Sequence, residues 1–148
     1  MPQLTWRLLG LVLTGFLFAM SLPAAARAET PTILAETKPL PPQINKDGRV
    51  TVTVTPLTIA ADTWRFEVEL DTHVVPLDQD LTAVSLLVDQ RGNEQRPLTW
   101  EGDPPGGHHR KGVLVFKSVG PLPTVVTLKI RGIGPVPERA FTWTLGAP

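Results

Sequence analysis

The sequence predicts an all-β domain, an antiparallel sandwich of about seven strands, on three observations. Apolar and polar residues alternate with a period of two in several short runs. Segments rich in Pro and Gly separate those runs at regular spacing. No stretch beyond residue 28 carries a convincing helical periodicity. Seven short strands in a domain of roughly 100 residues fit an immunoglobulin-like sandwich better than a layered α/β fold.

The strictest alternation is Trp64-Arg65-Phe66-Glu67-Val68-Glu69-Leu70-Asp71, which reads as a half-buried strand with its aromatic and aliphatic residues inward. Before it, Val50, Val52 and Val54 alternate with Thr51, Thr53 and Thr55, and β-branched residues suit a pleated surface. A turn around residues 60–63 joins the two. Next, Val84, Leu86 and Val88 alternate with Ser85, Leu87 and Asp89, and Arg91-Gly92-Asn93 turns the chain into a short strand at 96–101. Residues 112–117 and 123–131 supply two more strands, the second with Val126, Leu128 and Ile130 on one face. Phe141, Trp143 and Leu145, alternating with Thr142 and Thr144, make the last. The chain has no Cys and no Tyr, so the cysteine pair and tyrosine corner of antibody domains are absent. The expectation concerns architecture, not membership of the antibody family.

The ends read differently. Residues 1–28 have the form of a secretory signal: Arg7 is the positive region, an apolar stretch follows from Leu8 to Leu22, and Ala26-Arg27-Ala28 is a small-x-small cleavage site. The apolar stretch is shorter than the ~20 residues of a membrane-spanning helix, so the membrane is touched only if this segment stays uncleaved. Residues 29–48, with Pro31, Pro39, Pro41 and Pro42, read as a flexible leader, and 49–148 as the domain. The expected location is therefore outside the cytoplasm, periplasmic or extracellular. Loss of Arg7 and Arg27 leaves twelve basic against fourteen acidic residues, a balance without the electrostatic footprint of a nucleic-acid binder. Without cysteine there is no disulfide framework, thiolate metal site or lipidated N-terminal cysteine.

All three histidines lie in two short segments, Asp71-Thr72-His73 and Gly106-Gly107-His108-His109-Arg110. If successive strands alternate in direction, the connections at 72–81, 102–110 and 132–137 emerge at one end of the sandwich. Every histidine then lies at that end, together with Asp78, Asp80, Asp103 and Arg110. A copper or zinc site there would take His73, one of His108 or His109, and a carboxylate such as Asp78 or Asp80. Neighbours in an extended segment face opposite ways, so only one of His108 and His109 meets His73. The competing structural reading has these polar residues satisfying backbone groups that no ladder reaches: His73 and the aspartates hold the second loop, while His108, His109 and Arg110 pin the glycine loop against it. Asp78-Gln79-Asp80 offers alternating carboxylates for calcium but lacks the glycine and distal glutamate of an EF-hand loop. Trp100 is expected in the core or as a lid over the histidine loop.

Enzyme chemistry finds little support. After residue 28 the only serines are Ser85 and Ser118, both in or beside strands, and there is no nucleophile elbow or phosphate-cradling glycine motif. The function these features favour is an exported non-catalytic module of the cell envelope that is structural or binds a protein partner through its histidine-bearing loops. The alternative is an extracytoplasmic copper or zinc binder.

The Thr72-His73 pair, Asp78-Gln79-Asp80, Trp100-Glu101-Gly102 and Gly106-Gly107-His108-His109 together resemble an uncharacterised family of exported prokaryotic β domains. The likeness extends from about Trp64 to Leu145. It implies a small extracytoplasmic β domain and no particular activity. Members tend to carry serine after the Thr-His pair, where this chain has Val74, which removes one polar contact from that loop.

Overall fold

The computed structural model describes residues 39–59 and 62–146. The signal segment, its cleavage site and the leader up to residue 38 lie outside the described residues. The elements in chain order are β1 (Gln43–Asn45), a 3-10 turn (Asp47–Arg49), β2 (Val50–Ile59), β3 (Thr63–Thr72), α1 (Leu81–Val84), β4 (Ser85–Asp89), β5 (Glu94–Gln95), β6 (Thr99–Gly102), β7 (His109–Lys117), β8 (Val125–Ile133) and β9 (Val136–Thr144). One antiparallel sheet runs β1-β2-β3-β7-β6 and the other β5-β4-β8-β9. The order β2-β3-β7-β6 against β5-β4-β8-β9 corresponds to strands A-B-E-D facing C′-C-F-G of an immunoglobulin-type sandwich.

The period-2 residues build the core. Val50, Val52, Val54, Trp64, Phe66, Val68 and Leu70 of the first sheet face Leu87, Val126, Leu128, Ile130, Phe141 and Trp143 of the second. Phe66 stands edge-on to Phe116, with centroids 5.8 Å apart, and 5.6 Å from Trp143 of the facing sheet. These rings join the two layers at the centre, where burial of apolar area drives folding.

All seven expected strands are present, and two short ones join them. β1 lies within the stretch that reads as leader. Pro41 and Pro42 lack the N–H that would extend its ladder on β2, which keeps it to three residues. Its side chains reach the other sheet instead. The Gln43 side-chain amide donates to the Thr142 carbonyl and accepts from the Thr142 N–H at 3.2 Å, so an amide takes the place of a neighbouring strand on the exposed edge of β9. Arg139 Nε donates to Asn45 Oδ1 at 2.9 Å, and Trp143 Nε1 to the Pro41 carbonyl at 2.8 Å. Among the described residues the one α-helix, α1, is a single turn.

β7 begins at His109, three residues before the expected Gly112, and this extension decides where the histidine points. The β6–β7 ladder brings Gly102 opposite Gly112. A Cβ on Gly112 would stand 2.5 Å from the Gly102 Cα and 2.7 Å from the Glu101 carbonyl oxygen, so the close approach of these strands requires glycine. Trp100 lies across the gap.

Candidate functional site

Three loops meet at one end of the sandwich, as strand alternation predicts. The Gly106 N–H donates to the Leu77 carbonyl at 2.9 Å, which ties the glycine loop to the loop after β3. The Thr72 N–H donates to the His108 carbonyl at 2.9 Å, carrying the β3–β7 ladder one step further. Gly134, in the β8–β9 turn, is close enough that an added Cβ would be 3.4 Å from Val75 and 3.3 Å from Val50. Gly106 and Gly107 both hold positive φ, +115° and +72°, which lets the chain turn tightly into β7.

At the centre of this end is Arg110, 1% exposed. Its Nη1 donates to the carbonyls of Leu77 at 2.9 Å and Gln79 at 2.8 Å, and its Nη2 lies 3.4 Å from the Asp103 carbonyl. One rigid guanidinium thus binds backbone oxygens of two loops, a task for which a planar fork of donors is suited. Burial lowers its pKa, while the carboxylates of Asp103, Asp80 and Asp78 act in the opposite direction. A guanidinium stays charged under such conditions. The Trp100 ring lies 5.7 Å from Arg110 Cζ, and its Nε1 donates to the Asp103 carbonyl at 2.8 Å. Trp100 is half-buried and packs against the core, one of the two places expected for it.

The start of the loop after β3 is set by Thr72. Its buried hydroxyl donates to the Arg49 carbonyl at 2.9 Å and accepts from the N–H groups of Val74 and Val75 at 3.3 and 3.2 Å. Leu77 is fully buried and draws the middle of the loop into the core. Asp80 ends it as the N-cap of α1, accepting from the Thr82 N–H at 2.9 Å and the Thr82 hydroxyl at 2.7 Å. Those bonds, the hydroxyl first, lower the pKa of its carboxyl.

The site residues singled out from sequence are distributed as follows. His73, His108, His109, Asp78 and Asp80 are all exposed at this end. Asp80 is committed to its cap, and Asp78 stands beside Gly106. The rings of His73 and His109 are neighbours, with centroids 6.3 Å apart and planes at 84°. His108 contributes its backbone carbonyl to the loop. Among the described residues no group of three or more His, Cys, Asp or Glu side chains is arranged to hold a metal ion.

Arg110 pins the glycine loop to the loop after β3, as the structural reading of the sequence expects of it, and does so through its guanidinium. The role of Asp71 was not foreseen. Asp71 is the direct cross-strand partner of His109, its Oδ2 3.3 Å from His109 Nδ1, and only the register of β3 on β7 brings them together.

The opposite end carries an apolar groove of about 470 Å³ lined by Pro39, Pro41, Leu57, Ile59, Leu122 and Leu145 among others. Pro39, through which everything N-terminal is attached, therefore lies away from the histidines. Comparison with family models, with curated proteins and with solved structures finds no match to this chain.

Proposed function

We propose that the protein is an exported, non-catalytic β-sandwich module of the cell envelope that binds a protein partner through the loops bearing His73, His108 and His109. The observation that carries this reading is the Arg110 clasp, which holds two loops in one body while His73, Val74, His108 and His109 stay exposed on it. Binding surfaces gain affinity when their loops are ordered before the partner arrives, because less conformational entropy is lost on association. Immunoglobulin-type sandwiches also place recognition loops at the end reached by the connections after strands B and F, an analogy of architecture that adds support without carrying it.

The test compares the two ends directly. A photo-crosslinking amino acid at Val74, which is 60% exposed, is expected to trap a discrete adduct in the native envelope. The same group at Leu57, on the rim of the opposite groove, is expected to trap none. Adducts from Leu57 alone, from both positions equally, or from neither contradict the proposal.

A further inference from the structure

We propose that His73 and His109 form a transition-metal site in which two imidazoles bind one ion and Asp71 orients the second of them, with copper(II) the best-suited ion and zinc(II) the next. This goes beyond partner recognition and stands or falls separately from it.

The placement begins with sheet register. Asp71 on β3 pairs with His109 on β7, and the Thr72 to His108 bond continues that pairing by one residue. Asp71 and His109 are cross-strand partners that both alternate to the outer face, and His73, one residue past the end of β3, has its ring beside that of His109. The cross-strand neighbour Asp71 has its carboxylate 3.3 Å from His109 Nδ1. A carboxylate at that nitrogen favours the Nδ1–H tautomer and leaves Nε2 with its lone pair free, the arrangement by which outer carboxylates orient metal-binding histidines.

The distance between the rings then decides what they can share. A metal–nitrogen bond of ~2.0–2.1 Å places the ion roughly 3.2 Å from a ring centroid, so two imidazoles on one ion have centroids no more than about 6.4 Å apart. The His73 and His109 centroids are 6.3 Å apart, inside that limit. Both side chains are exposed, so rotation of either ring towards the other meets little resistance. The His109 side chain is 69% exposed and Asp71's 47%, which leaves room for water to complete the coordination. Two nitrogen ligands and water bind most firmly the ion at the top of the divalent affinity order, copper(II). Neither Asp78 nor Asp80 is needed: Asp80 already caps α1. His108 is left out because the ring that stands beside His73 is that of His109.

The experiment is a titration of the chain beginning at residue 29 with copper(II), then zinc(II), by calorimetry and, for copper, by electron paramagnetic resonance. One equivalent is expected to bind with nitrogen coupling in the spectrum. His73→Ala and His109→Ala are each expected to weaken binding at least about tenfold, and Asp71→Asn by about tenfold. His108→Ala is expected to leave binding unchanged. Because these side chains are exposed, thermal melts of the variants without metal are expected to match the parent, which separates ligand loss from misfolding. No binding of either ion at micromolar protein overturns the proposal. So does full copper binding by the His73→Ala, His109→Ala double variant, which would place the ion at the chain's amino terminus, or an effect of His108→Ala equal to that of His109→Ala.

Discussion

Replacing Arg110 by methionine is expected to destabilise the domain by about 3 kcal/mol or more, lowering the melting temperature by something on the order of 10 °C. Methionine retains much of the buried stem volume, so the loss comes from the head group. Two short bonds from a charged donor disappear, each worth about 1.5–3 kcal/mol, and the carbonyls they served lose those donors where the guanidinium had been buried. Lysine is expected to recover only a minor part, since a single ammonium cannot span the carbonyls of Leu77, Gln79 and Asp103 as a fork does. Chemical denaturation of the three proteins checks this. A methionine variant within 1 kcal/mol of the parent would show that the clasp is incidental to the fold.

Phe66→Ala is expected to cost about 3–5 kcal/mol, the usual range for removing a buried aromatic ring. Phe66 is fully buried and contacts both Phe116 in its own sheet and Trp143 in the facing one, so its loss opens a cavity at the junction of the layers. Tryptophan emission is expected to change, because one wall of the surroundings of Trp143, one of three tryptophans in the domain, is removed. The two variants differ in reach. Phe66→Ala weakens the whole sandwich, whereas Arg110→Met acts first on the loops at the histidine end. A loss below about 1 kcal/mol for Phe66→Ala would mean that the core repacks around the gap.

Alternation made most of the sandwich legible in the sequence, because a residue's inward or outward position on a strand depends only on its immediate neighbours. Trp64, Phe66, Val68 and Leu70 are buried as their spacing predicts, and so are Val126, Leu128 and Ile130. The gathering of both histidine segments at one end followed from strand alternation as well. What escaped depends on contacts between distant parts of the chain. β1 is held by Gln43 and Asn45 reaching Thr142 and Arg139, about a hundred residues away, and nothing in its three residues marks a strand. β7 reaches back to His109 because Asp71 and Leu70 offer partners across the ladder, a register that neither strand reveals alone. Arg110 lies on the buried side of that extension, and the same alternation sends His109 outward. A single extended strand thus assigns one residue to the clasp and its neighbour to the surface.

Amide hydrogen exchange tests most directly whether the histidine end is one preformed body. The reporters are the N–H groups of Gly106, Thr72 and Lys111, which donate to Leu77, His108 and Asp103 respectively. In the parent, protection of Gly106 is expected to approach that of interior strand residues such as Val68, and in Arg110→Met to fall selectively while Val68 keeps far more of its protection. Exchange at Gly106 in the parent as fast as in the exposed turn at Arg91 would contradict the account, since the loops would then be ordered only when something binds them.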